Sequence, residues 1–216
     1  MDKIVTSLRE FKLTNDIKNM ISSIDPANKS TDLSAVLRGY YDKDLIGESE
    51  YLALETKIVL KRFCLLMEQK FNGLMHGVYL YDHKTNKVWN ASVPNIPTGY
   101  NEYSNGASVE EDIQIGEHVP EQMKSILAVP DVDRAEDLTS LNHKKDLMKN
   151  GIYAYCSAPL SCNGSVIGHT AMFSKMKRDF SDKDLVQYNM CNQLIVENLL
   201  LKKEQLIRVF KNENRL

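Results

Sequence analysis

The chain has 216 residues, 43% hydrophobic and 26% charged, with a net charge of −2 at neutral pH. That length can bury one full core with appended helices, and the interspersed charge offers no basic face to nucleic acid. No apolar run approaches the ~18–20 residues that span a bilayer, and the polar, periodic start MDKIVTSLREFKLTND does not have the pattern of a signal peptide.

The four cysteines, Cys64, Cys156, Cys162 and Cys191, form no CxxC pair and no dense framework. This fits a reducing compartment, and a cytoplasmic location is expected. Asn-x-Ser matches at Asn28, Asn90 and Asn163 carry no meaning there. The five histidines, His76, His83, His118, His143 and His169, show no metal-ligand spacing, so no metal is expected. No Walker loop, GxGxxG or GxSxG motif is present.

Residues 1–47 read as a helical extension. Thr14-Asn15-Asp16 caps a short helix through Ile24, Asp25-Pro26 breaks it, and Ser30 or Thr31 restarts a helix toward Tyr40 or Tyr41. Residues 48–72 form a long helix. Leu52, Val59, Phe63 and Leu66 lie near one stripe and Leu54, Ile58 and Leu65 widen it, so a sheet and a neighbouring helix are both expected as partners. Asn72-Gly73 ends this helix.

His76–Asp82 and Lys87–Val93 are predicted strands around a turn, and Pro94 to about Gly106 is predicted irregular. A helix is expected near Glu117–Ser125, with Pro120 in its first turn. Ile126–Val129 reads as a short buried strand. A loop with Asp131, Asp133 and Asp137 then leads to a helix near Leu138–Lys149, capped by Asn150-Gly151.

Asn163-Gly164 has the two residues a type I′ hairpin turn demands, with apolar β-formers on both sides. Ser181 begins a final helix with an acidic first turn. In it Leu185, Tyr188, Ile195, Leu199, Leu206 and Val209 fall near heptad spacing, with Asn192 and Lys202 breaking the stripe, and Val186, Met190, Leu194 and Leu201 on another face. The spacing outruns a compact domain, so the first stripe is expected to be the seam of a dimeric coiled coil.

Four segments in order resemble GAF domains. Ala91–Tyr100 (ASVPNIPTGY) resembles that family's "APxLPxxY", Ile126–Val132 (ILAVPDV) its "pv.v.DI", Gly151–Leu160 (GIYAYCSAPL) its "GlracWSxPI" and Ser165–Thr170 (SVIGHT) its "g.vlGtf". The resemblance covers about 48–200. It is strongest to GAF domains upstream of diguanylate cyclase, EAL phosphodiesterase and histidine kinase modules.

It implies an α+β fold: a central antiparallel sheet with the long helices 48–72 and 181–216 on one face and a lid of loops and short helices, 94–150, on the other. The expected division is 1–47 extension, 48–184 sensory domain and 181–216 signalling and dimerisation helix. The implied role is small-molecule sensing within bacterial signal transduction, including cyclic di-GMP signalling, rather than catalysis.

Two departures stand out. The family's small-residue loop is replaced by Gly116–Pro120 or missing, and Tyr155-Cys156 stands where its Trp precedes Ser157. The resemblance to the "NK…F…D" pattern of cyclic-nucleotide-binding members, through Lys175, Phe180 and Asp184, is incomplete because Ser174 replaces Asn. No cofactor is assigned, and the ligand is unknown.

A two-residue hairpin loop pairs Cys156 with Ala171, Ala158 with His169 and Tyr155 with Met172. It puts Tyr153, Tyr155, Ser157, Thr170 and Met172 on one face, and Cys156, Ala158, His169 and Ala171 on the other. Pro159 is a place where a bulge would shift that register. The hydroxyl-bearing face is the expected pocket floor.

Trp89 is a candidate for the pocket edge and equally a core residue. Tyr100 and Tyr103 lie in the lid, and Asp131 in a loop that could orient a polar ligand. The ligand-binding candidates are therefore Trp89, Tyr100, Tyr103, Asp131, Tyr153, Tyr155, Ser157 and Thr170, each with ordinary packing or solvation as its alternative.

Cys156 and His169, as diagonal neighbours, would allow a thiolate–imidazole dyad, against which stands a buried thiol with a satisfied histidine. A methionine sulfoxide reductase-like thiol enzyme is the alternative from another class, but it needs two thiols within reach, and Cys156 and Cys162 are six residues apart on one strand. A ligand-free dimerisation spacer is the third reading. Expected partners are a second copy, through 48–72 and 181–216, with no nucleic acid and no membrane.

Overall fold

A computed structural model describes residues 33–108, 126–135 and 141–213. The expected helices at 14–24 and 117–125, Asp137, and the Gly116–Pro120 segment lie outside the described residues.

Helix α1 (Leu33–Tyr41) packs through Leu33 and Leu37 on α2 (Glu48–Lys70), where Tyr51, Leu54 and Ile58 receive it. The opposite side of α2, with Ala53, Leu60 and Cys64, is buried against the sheet. Val59 and Leu66 belong to neither contact and are 52% and 59% exposed. The apolar stripe read in the sequence thus points partly outward, because α1 and the sheet take the two flanking faces.

Strands β1 (Leu74–Asp82) and β2 (Lys87–Ser92) follow, then α3 (Thr98–Ser104), β3 (Leu127–Val129), a 3₁₀ turn at Val132–Arg134, α4 (Leu141–Lys149), β4 (Ala154–Cys162), β5 (Ser165–Ser174) and α5 (Asp182–Glu213). The five strands form one antiparallel sheet in the order β2-β1-β5-β4-β3. Every residue of β1 is buried, as a strand covered on both faces requires.

The fold is α+β, as expected, with α2 and α5 on one face and α3 and α4 on the other. α2 and α5 run antiparallel: Tyr188, near the start of α5, meets Phe71 just past the end of α2, and Lys202 reaches Glu55 near its beginning.

Segment 94–106 is more ordered than its Pro and Gly content predicts. Pro97 starts α3, and its carbonyl accepts from Tyr100 and Asn101. Gly99 lets α3 approach the end of α4, where a Cβ would lie 2.5 Å from Asn150 Oδ1. Asn90, Asn101, Ser104 and Asn105 tie α3 to β2 by hydrogen bonds. The chain then covers the outer edge of β2, with Gly106 donating to Val88 O, Val88 donating to Ala107 O, and Ser108 bridging Lys87.

The β4–β5 hairpin turns at Asn163 and Gly164, whose φ values are +51° and +76°. Next to the turn Ser161 pairs with Val166 and Cys162 with Ser165, but the register shifts between Leu160 and Ser161. Beyond that bulge Cys156 pairs with Met172, Ser157 with Ala171 and Tyr155 with Phe173. One extra residue on one strand turns every later side chain of β5 over relative to β4.

Ser181 caps α5: its hydroxyl accepts from the Asp184 amide and donates to the Asp184 carboxylate. Tyr188, Asn192, Ile195, Val196, Leu199, Lys203, Leu206 and Ile207 are buried, while Val186, Met190 and Leu194 are 59%, 66% and 76% exposed. This corrects the expected seam. Leu199 and Leu206 pack within the chain against α2 and the sheet, and Lys84 of the β1–β2 turn reaches Glu204, so this stretch of α5 still lies over the sheet. The side chains of Leu201, Val209 and Phe210 lie outside the described residues. No helix among the described residues is long and apolar enough to cross a membrane.

Candidate functional site

Strand alternation sends Tyr79 and Tyr81 of β1 toward the α3–α4 side of the sheet. The shifted hairpin register places His169 and Phe173 of β5 with Tyr155 and Ser157 of β4 on that same side. The Tyr79 and His169 rings stack 4.7 Å apart at 9°, with Tyr81 tilted against His169 at 5.4 Å.

From the lid, Tyr100 Oη hydrogen-bonds His143 Nε2 at 3.0 Å, and the Tyr100 ring stands edge-on to Phe173 at 5.2 Å. Tyr103 stacks on His143, which also leans toward Tyr155. The result is two groups of aromatic and imidazole rings that share one buried layer, an aromatic–imidazole cluster between sheet and lid.

Burial dominates its electrostatics. It pushes the Tyr155 phenol well above its ordinary value, and Tyr79 likewise. His169 is pushed down to about 3, first by desolvation and then by the nearby His143. Two polar atoms here, Tyr79 Oη and His169 Nδ1, are buried without a hydrogen-bond partner among the described residues. The arrangement suits stacking of a planar molecule with hydrogen bonds at its edge.

Of the sequence candidates, Tyr100, Tyr103 and Tyr155 meet around His143, and Ser157 shares their face. Thr170 does not: the bulge turns it to the helix side, where its Oγ1 accepts from Tyr188 Oη at 2.7 Å. Trp89 also faces the helices, packed with Leu80, Leu160 and Leu199.

Tyr153 stands at the sheet's end, 38% exposed. The Asp131 carboxylate is engaged by Lys177 at 2.8 Å, by Arg134 and by the Asp133 amide, and is held below the usual carboxylate range chiefly by Lys177. It ties the β3 loop to the segment after β5 and lies away from the cluster.

His143, Tyr79, Tyr81 and Phe173 were not singled out by sequence. The alternation in Tyr79-Leu80-Tyr81 was an available signal for two of them.

Cys156 and His169 lie on opposite faces of the sheet, so the dyad does not form. Cys64 and Cys156 are buried, with their thiols pushed up to about 12 by desolvation, which is the reverse of nucleophile activation. Cys162 packs at the helix-side cluster and Cys191 lies on α5. None of the chain's four cysteines is in the aromatic–imidazole cluster. Among the described residues no group of three or more His, Cys, Asp or Glu side chains is arranged to hold a metal.

No protein-family profile and no curated protein matches the sequence. Solved structures do resemble it. A domain of a two-component sensor histidine kinase protein from Sinorhizobium meliloti superposes with a TM-score of 0.55 at 17% identity, covering 69% of this chain and 94% of that one. The GAF domain/HD domain protein from Geobacter sulfurreducens gives 0.54 at 17%, over 68% and 95%. The PixJ GAF domain of Thermosynechococcus elongatus, in its blue-light absorbing form, gives 0.54 at 15%, over 71% and 92%. At such identities the shared property is the fold.

Proposed function

We propose that this chain, which has the GAF fold, is a regulatory sensory module that binds a small molecule in the aromatic–imidazole cluster. The observation that carries this reading is the pair of unpartnered buried atoms, Tyr79 Oη and His169 Nδ1, in a stack otherwise built for planar contact. A buried polar atom is costly to leave unpaired, and a ligand edge would satisfy both. The cluster has no carboxylate, lysine or arginine among its named members, so the favoured ligand is uncharged, aromatic and bears donor and acceptor atoms.

Covalent pigment attachment is disfavoured because no cysteine is there, and thiol chemistry because Cys64 and Cys156 are buried with raised pKa values.

A thermal-shift screen of uncharged planar heterocycles tests the reading. A binder at 100 times its Kd should add about 2.7 kcal/mol of stability, and the shift should be lost in His169→Phe. If no compound in the screen shifts the wild type, or the shift survives that substitution, the site is wrong and the dimerisation-spacer reading gains.

The state of the site passes, in this proposal, to a second copy and a downstream output domain or partner through α5. The exposed Val186, Met190 and Leu194 of α5, with Val59 and Leu66 of α2, form the dimer face that replaces the Leu199–Leu206 seam. A ligand moves these helices only by binding their two arrangements with different affinity.

A further inference from the structure

The layer between the sheet and α5 should be purely apolar if its only task were packing. It is not. His76 on β1 and Asn192 on α5 are both 0% exposed. Both ring nitrogens of His76 and both amide atoms of Asn192 are without a hydrogen-bond partner among the described residues.

Tyr188 joins the two. Its ring stands edge-on to His76 at 5.8 Å, and Asn192 lies one helical turn further along the same face of α5. The Tyr188 hydroxyl donates to Thr170 and sits close enough to the Asn192 amide for that amide to oppose the effect of burial on the phenol. Phe63 and Phe71 close the surroundings with apolar rings.

We propose that this cluster is an internal hydration site, in which ordered water is held by His76, Asn192 and the Tyr188–Thr170 hydroxyl pair. The four buried, unpartnered atoms beside Tyr188 would be satisfied by about one or two water molecules, each making two to four hydrogen bonds.

An ion does not fit. His76 is neutral, pushed down to about 3 by desolvation. The nearest carboxylate, Glu68, already accepts from the His76 amide and the Asn95 side chain. The Cys64 thiol donates to Ser92 O and is pushed up to about 12, so it too is uncharged. The site is on the opposite face of the sheet from the proposed ligand site, and stands whether or not a ligand binds there.

Water-selective NMR on the labelled chain tests it. Magnetisation transfer from water to the His76 ring protons, the Asn192 side-chain amide and the Tyr188 ring is expected, with loss of the Tyr188 signal in His76→Phe/Asn192→Leu while the sheet's amide pattern persists. A second measurement on the wild type does not depend on that variant folding: a high-resolution crystal structure should show solvent peaks within hydrogen-bonding distance of both side chains. Absence of those peaks, absence of transfer in the wild type, or a direct His76–Asn192 hydrogen bond overturns the proposal. So does transfer to Tyr188 that persists in a folded double variant.

Discussion

His169 and Thr170 are consecutive on β5 and face opposite layers: the His169 ring stacks on Tyr79 beneath the lid, while Thr170 accepts a hydrogen bond from Tyr188 of α5. The lid-side stack and the long helix are thus joined by one peptide unit and one buried hydrogen bond. Tyr188→Phe should destabilise the chain by about 1–2 kcal/mol, the usual cost of losing a buried hydrogen bond and leaving its partner unpaired. Urea unfolding checks this, with an unchanged dependence on denaturant expected. A difference near zero would mean that the contact does not hold α5.

Acidification should weaken the fold before the carboxylates titrate. His76 is lowered from an ordinary 6.5 to about 3 by burial. The unfolded chain then binds a proton that the folded chain refuses, so the stabilisation is complete above about 6.5 and is lost as pH falls toward 3. The slope is about 1.4 kcal/mol per pH unit for one histidine. His169 shifts the same way and adds to the decline. Chemical denaturation at pH 7, 6 and 5 should show the decline, and His76→Phe should flatten it. An unchanged slope in that variant would refute the assignment.

Glu68 stands in for a missing strand residue. Beyond Val78, β1 has no β2 partner, and the Glu68 carboxylate accepts from the His76 amide and also from the Asn95 side chain of the segment leading into α3. It thus fastens α2 to the lid around the sheet's edge. In Glu68→Ala, amide exchange of residues 95–104 should speed up several-fold, with the β4–β5 hairpin unaffected. Uniform acceleration would point instead to loss of global stability.

The two apolar sides of α5 should respond differently to charge. Leu199→Glu buries a carboxylate at a 1% exposed position and should unfold the chain or cost upward of about 3 kcal/mol. Met190→Glu/Leu194→Glu should leave circular dichroism unchanged and convert a dimer to a monomer in sedimentation. A wild type that is monomeric at tens of micromolar would end the dimer proposal.

Gly168 tolerates no side chain. A Cβ there would lie 2.1 Å from the Tyr79 carbonyl oxygen, which is backbone and has nowhere to go. Gly168→Ala should lower the melting temperature by the equivalent of about 1–3 kcal/mol. A neutral result would mean that β1 and β5 are further apart than described.

What the sequence could convey followed from local chemistry. Asn163-Gly164 specifies its turn through positive φ, Ser181 with Asp184 specifies a helix start, and the order of strands and helices follows the apolar periods. The inward and outward faces of β5 were not legible. They depend on a bulge at Leu160–Ser161, and a bulge is settled by how β4 and β5 fit their neighbours, including the close approach at Gly168. The site suffered accordingly, since one residue of slip exchanged His169 for Thr170. α3 was also missed, because Thr98–Ser104 has too few apolar residues to show a period and is held by hydrogen bonds of Asn90 on β2 with Asn101, Ser104 and Asn105. On α5 the spacing identified two apolar stripes, but only the packing of α5 on α2 and the sheet decides which one is inside.

The sheet's margins have a consequence for how copies of this chain meet. One border, β2, is already capped along its outer side by residues 105–108, and the other, β3, is three residues long. Among the described residues neither offers a long row of free amides and carbonyls on which another chain's strand could template itself. Amyloid-like stacking and strand exchange are thereby discouraged at high local concentration.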